Sequence, residues 1–160
     1  MQTKIYDRKK AVEYAKTWAL KRNPKYYNFD RLGGDCTNFI SQCIFSGAPV
    51  MNYTPTFGWF YNTLNDRSPA WTGVNQLYEF LVSNKGVGPF GSETPPEQLD
   101  AGDIIQLGNS ITFYHTLIVS GVISGRIFVC SHTRDTLSIP LENYYFDNAR
   151  YIKILGYRAK

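Results

Sequence analysis

The run Gly33-Gly34-Asp35-Cys36-Thr37-Asn38-Phe39-Ile40-Ser41-Gln42-Cys43 constrains this chain more than any other stretch. Two glycines close a loop, Asp35 is a good helix N-cap, and Gly47 can stop a helix that begins at Cys36. Phe39, Ile40, Cys43 and Ile44 then recur with the i, i+3, i+4 spacing of a helix that buries one face. The pattern predicts a cysteine in the exposed first turn of a helix whose body is anchored in the core. Unpaired N–H groups and the positive end of the helix dipole favour a thiolate there. A free cysteine is more often a small buried hydrophobe. Cys43, inside the apolar stripe, and Cys130, after Ile127-Phe128-Val129, fit that description; the loop, cap and helix start set Cys36 apart.

A thiolate nucleophile needs a base, and the base needs an orienting group. Only two histidines are available, His115 and His132. His115 lies in Phe113-Tyr114-His115-Thr116-Leu117-Ile118-Val119, which reads as a strand, and strand alternation sets it on the face of Leu117 and Val119. A turn at Ser124-Gly125 folds the segment 112–121 against 126–131 as a hairpin, and this carries His132 back across from His115. Cys36, His115 and His132 are therefore candidates for nucleophile, base and orienter. Asp135 competes with His132 for the third role, because a carboxylate orients an imidazole at least as well. Ser131 and Asn109 are weaker candidates. Each histidine alone is equally consistent with a satisfied polar residue at a strand end.

The remaining elements follow from periodicity and breakers. Asp7 caps a first helix whose apolar face is Ala11, Val12, Ala15, Trp18 and Ala19, and Asn23-Pro24 ends it. From Ala48 to Trp71 regular signals are few, but Tyr53, Phe57, Trp59, Phe60, Tyr61 and Trp71 make the stretch too aromatic for disorder. It reads either as a lid packed on the core or as the aromatic wall of a groove. Thr72 caps a further helix with Val74, Leu77, Tyr78 and Leu81 inside. Residues 86–102, rich in Gly and Pro, read as a loop. Strands follow at 103–107, 112–121, 126–131 and 151–157. Helices first and a mostly antiparallel sheet afterwards define the α+β class. The 160 residues suit one domain, 1–160, with 43% apolar residues and 25 aromatics to fill its core.

Charge and cysteine usage narrow the function. The net charge of +4 is mild and lacks a dense basic run, so nucleic-acid binding is not expected. Three cysteines are an odd number without Cys-x-x-Cys spacing, so neither a disulfide framework nor a metal centre is expected, and no cofactor is called for. The polar N-terminus has no signal-peptide core, and no segment approaches the length of a membrane span. The expected location is therefore the cell interior, or the cell wall and its surroundings if the chain is trimmed from a longer exported precursor.

The residues Gly34 to Gln42 resemble the Gly-Asp-Cys-Thr-Asn-Phe-Ile/Val-Ser-Gln run of the putative amidase domain family of bacterial proteins. That family is similar to the papain-like NlpC/P60 and CHAP cysteine hydrolases. Asn23-Pro24 with Tyr26-Tyr27, the strand start Ala101-Gly102-Asp103-Ile104, and His115-Thr116-Leu117-Ile118-Val119 fit the same pattern, so the likeness covers about Asp7 to Leu141. The resemblance implies a papain-like fold with N-terminal helices on the sheet. It implies Cys36 as nucleophile, His115 as general base and His132 as the orienting residue. It also implies hydrolysis of an amide bond, in peptidoglycan peptide or a related substrate. The backbone N–H of Cys36 would hold the oxyanion together with a donor from Tyr27 or Asn28, and Asp35 and Trp59 are the other substrate-side candidates. Two other classes compete: an inactive module that binds wall glycan or peptide through its aromatic loop, and an acyltransferase that uses an amine in place of water.

Overall fold

A computed structural model describes all 160 residues. Four helices and an open antiparallel sheet give an α+β architecture, as the order of periodicities predicts. Helix α1 (Arg8–Trp18) starts where Asp7 accepts a hydrogen bond from the Lys10 N–H at 3.1 Å, and it buries Ala11 and Ala15. Helix α2 (Cys36–Gly47) buries ten of its twelve residues, so it is a central element and not a surface helix. Short α3 (Pro69–Thr72) precedes α4 (Val74–Ser83), whose N-cap position is Gly73 and not Thr72. Pro69 at the first turn starts a separate helix and draws Thr72 into it.

The sheet strands are β1 (Gln2–Lys4), β4 (Gly88–Glu93), β5 (Ile104–Gly108), β6 (Phe113–Ile123), β7 (Arg126–Ser131), β8 (Thr136–Pro140) and β9 (Asn148–Ala159). Their order is β1-β9-β5-β6-β7-β8, with β4 also paired to β9. A separate small hairpin joins β2 (Tyr61–Thr63) to β3 (Asp66–Arg67). The turn between β6 and β7 is the expected one: Ser124 and Gly125 both have positive φ, as a two-residue hairpin turn requires. Strand β4 lies within the segment expected to be a loop. Its Gly and Pro content hides a ladder made by backbone groups alone, pairing Gly88 to Glu93 with β9.

Apolar side chains fill both faces of the sheet. On the helix face, Ile104, Ile118, Cys130, Ile152 and Ile154 pack with Phe39, Ile40, Cys43 and Ile44 of α2 and with the alanines of α1. On the opposite face, Ile105, Leu107, Leu117, Val119 and Val129 form a smaller cluster with Leu99, against which Tyr144 and Phe146 pack. The aromatic segment 48–71 packs on the core. Trp59 and Trp71 are fully buried, 4.7 Å apart, while Tyr53 and Phe57 stay exposed.

Candidate active site

Asp35 occupies the N-cap position of α2 and its carbonyl accepts the Phe39 N–H at 3.0 Å, but its side chain makes no cap hydrogen bond. The expected side-chain cap is corrected by what surrounds the carboxylate. Oδ1 accepts the Phe29 N–H and the Asn38 Nδ2–H, each at 2.9 Å, and Oδ2 lies 2.6 Å from His132 Nδ1. A buried carboxylate turns to the donors that compensate its lost hydration.

Cys36 follows at the first helical position but is buried, only 8% exposed, and not in the exposed first turn that the pattern predicts, because Thr37 and Thr116 close over it; Cys43 and Cys130 are fully buried. Next to it, Thr37 Oγ1 and Thr116 Oγ1 are 2.9 Å apart, which pins the start of α2 to β6 one residue from His115. Burial pushes the Cys36 thiol above its ordinary value; the backbone N–H of Thr116 and the hydroxyl and N–H of Thr37 pull it partly back, and the Asp35 carboxylate raises it further. Desolvation thus outweighs the helix end, and the resting group is a thiol, not the low-pKa thiolate that helix position alone suggests.

The place of the sulfur follows from the ladder. β5 receives the Val119 N–H through Asp103, so odd-numbered residues of β6 face β5 and the Thr116 N–H faces the β7 side. Pairing with β7 begins only at Ile118–Cys130. The Thr116 N–H that the ladder leaves open is thus free to act on the thiol, whose hydrogen-bond partner is Thr37 Oγ1 at 3.7 Å.

His115 pairs with Leu107 of β5 and shares its face, the one opposite α2. It is partly buried, its ring is 5.8 Å from that of Tyr144, and burial lowers it from 6.5 to about 4. Its resting form is the neutral imidazole, which can accept a proton. The Tyr144 hydroxyl is fixed by Ser131 Oγ at 2.6 Å and Thr136 Oγ1 at 2.8 Å.

His132 is not where the hairpin was expected to bring it. Ile123–Arg126, Val122–Ile127 and Gly121–Phe128 share one register, which would set His132 opposite Leu117 and on the face of His115. A bulge between Val119 and Gly121 shifts the pairing to Val119–Val129 and Ile118–Cys130. A one-residue shift turns every later side chain over. His132 therefore lies on the helix face, buried, with its ring stacked on Phe39 at 3.8 Å and 10°. Nδ1 meets Asp35 and Nε2 meets the Trp18 carbonyl at 2.8 Å, so the hydrogen bond expected between His132 and His115 is not formed. Asp135 does not take that place either: both its oxygens accept from Arg22 at 2.9 Å.

The substrate-side candidates are spread out. Trp59 is fully buried and donates its indole N–H to Ser41 Oγ at 3.0 Å, so it fills the core in place of lining a groove. The Tyr27 N–H is taken by the Tyr61 hydroxyl at 2.8 Å, while the residue as a whole is exposed. Asn28 closes a local turn by accepting the Asp30 N–H at 2.9 Å. A narrow crevice beside Asp35 is lined by Arg22, Tyr26, Tyr27, Asn38 and Gln42. The roomiest groove, bounded by Val50, Tyr53, Val87 and Ala159, contains none of the candidate residues.

Sequence reasoning missed Thr37, Thr116 and Arg22. Thr116 was legible as the alternation partner of His115, but its pairing across to α2 is a tertiary fact. No three His, Cys, Asp or Glu side chains converge as a metal site, and no helix is long and apolar enough to cross a membrane.

Residues 5–155 match the family model described as "Putative amidase domain". Among curated proteins the chain is similar to the uncharacterized protein YhbB of Bacillus subtilis (strain 168). They are 36% identical over 118 residues, which cover 71% of this chain and 37% of that protein. It is also similar to the uncharacterized protein YjcM of the same organism, 24% identical over 142 residues that cover 82% of this chain and 32% of that protein. The matches thus span about a third of each relative's length. No solved structure matches. With the family pattern extending over nearly its whole length, from just after β1 into β9, the chain belongs to the putative amidase domain family.

Proposed function

We propose that this chain is a cysteine-dependent amide hydrolase in which Cys36 is the nucleophile and His115 the general base. The observation that carries the reading is the junction of α2 with β6. There the Thr116 N–H lowers the Cys36 thiol and Thr116 bonds to Thr37, so the sulfur lies by the backbone of the residue next to His115, at the start of β6 where β7 has not yet joined it. Family membership supports amide chemistry. The arrangement is compatible with a papain-like fold, with the cysteine helix laid on an antiparallel sheet.

In this mechanism both groups rest uncharged. As the sulfur attacks the amide carbonyl carbon, the Cys36 proton passes to the neutral His115 ring and the carbonyl electron pair moves to oxygen. The Cys36 N–H at the helix start stabilises that oxyanion. The imidazolium gives its proton to the departing amine nitrogen, leaving a thioester on Cys36. Water, deprotonated by His115, then attacks the thioester and releases the acid and the thiol. The substrate class we propose is a peptide amide, such as the stem peptide of peptidoglycan, which the resemblance of the cysteine run implies.

Digestion of purified peptidoglycan by the wild type and by Cys36→Ser, with mass analysis of fragments, tests the reading. New amine and carboxyl ends made only by the wild type support it. Fragments that carry an added amine would make the chain an acyltransferase, and identical products from both proteins would remove Cys36 from the chemistry.

A further inference from the structure

The buried histidine that the mechanism does not use has an unusual set of partners. The Trp18 carbonyl has only lone pairs to offer, so the Nε2 that faces it at 2.8 Å carries a proton and donates. Nδ1 faces Asp35 Oδ2 at 2.6 Å. Either Nδ1 also carries a proton and the pair is imidazolium and carboxylate, or Asp35 is the acid and the ring is neutral. Three features favour the charged pair. The other Asp35 oxygen already accepts two N–H donors, from Phe29 and Asn38, which stabilise an anion. The Arg22 Nε lies 3.5 Å from the same carboxylate. The Phe39 face lies parallel to the His132 ring at 3.8 Å, an arrangement that suits a cation. The charged surroundings agree. Arg22 after α1 is hydrogen-bonded to Asp30 and to Asp135, so with Asp35 three carboxylates face one guanidinium. The Cys36 thiol is held neutral.

Resting on the assignment of Cys36 as nucleophile, we propose that Asp35 and His132 form a buried carboxylate–imidazolium pair that positions Cys36, and that His132 exchanges no proton with the reacting atoms. The pair joins the end of α1 (through the Trp18 carbonyl), the loop before the helix (through the Phe29 N–H), the end of β7 and the start of α2. Cys36 is the next residue in the chain, so the clamp fixes both its N–H and the direction of its sulfur. A shift of about 1 Å in such a group is enough to lower a rate about a hundredfold.

The test is nitrogen-15 NMR of histidine-labelled full-length protein at neutral pH, with His115→Gln used to assign the two rings. The expected spectrum shows both His132 nitrogens protonated, with slowly exchanging ring protons, and His115 as a neutral ring. One unprotonated nitrogen on His132 would overturn the charged pair. The positioning role is read from Asp35→Asn, which keeps the shape and removes the charge. The expected result is a folded protein whose Cys36 alkylates about tenfold more slowly with iodoacetamide, although loss of the carboxylate charge alone would favour the thiolate and speed the reaction. On any amide substrate found, kcat falls about tenfold to a hundredfold with KM changed less than about twofold. Unchanged alkylation and kcat would overturn the positioning role. Because neither NMR nor alkylation needs turnover, failure of the hydrolase reading would show separately, as intact clamp behaviour without amide cleavage.

Discussion

The two histidines are both linked to the start of α2, His132 through Asp35 and His115 through its neighbour Thr116, yet the sheet separates them into opposite environments. His132, on the helix face, spends both nitrogens on protein acceptors and is stacked on Phe39. His115, on the other face, has no hydrogen-bond partner, lies 5.8 Å from the ring of Tyr144 and is driven by burial to about 4. A histidine with both nitrogens occupied has no free site for the proton of the thiol. A neutral ring without partners keeps one unprotonated nitrogen that can take it. The contrast teaches that, of the two imidazoles, the one proposed as base is told apart by its unoccupied nitrogen and not by its place in the sequence.

The largest expected effect on that contrast is on turnover. Replacing Cys36 by Ala removes the nucleophile and abolishes amide cleavage. His115→Ala lowers kcat by about 10²–10⁴, the range of a lost general base, and leaves the melting temperature nearly unchanged. If His132→Ala spared stability and cost turnover as much as His115→Ala, the division of roles would fail.

Stability should show the reverse order. His132→Ala strands Asp35 among its donors and removes the Phe39 stack, and a buried pair broken on one side costs about 3–5 kcal/mol. Urea unfolding monitored by tryptophan fluorescence checks it. Next comes a pH effect at His115. The folded value of about 4 lies below the ordinary 6.5, so the neutral ring's contribution is complete above 6.5. As pH falls from 6.5 to about 4 the unfolded chain takes up a proton that the folded chain refuses. Stability is lost over that window, by about 3 kcal/mol at most. His115→Gln should flatten the urea midpoint between those pH values. The smallest effect belongs to Asp135→Asn. Its bond to Arg22 is partly exposed, and its loss should cost under about 1 kcal/mol and leave turnover alone.

Much of this arrangement was legible before any coordinates. Periodicity located α1, α2 and the β6–β7 hairpin because each carries side chains that alternate or recur. The start of α2 at Cys36 and its anchored body were legible from a loop, a cap residue and an apolar stripe. What stayed hidden was set by backbone geometry. β4 is a ladder without a side-chain signature, and the segment 48–71 packs Trp59 inward where its composition allowed a wall. The decisive case is the bulge between Val119 and Gly121. It moved His132 to the other face, and nothing in Ser120-Gly121 distinguishes that bulge from an unbroken strand. The same limit applies to Asp35: a residue suited to capping was turned by a buried imidazole seventeen residues beyond His115.

The claim that Cys36 carries the chemistry is tested most directly by trapping its thioester. Peptidoglycan fragments are mixed with the protein, quenched in acid within the first turnover, and the digest is mapped by mass. The account predicts an acyl adduct on the peptide containing Cys36, absent in Cys36→Ser and strongly reduced in His115→Ala. Amide cleavage with no adduct on Cys36, undiminished in Cys36→Ser, would contradict it.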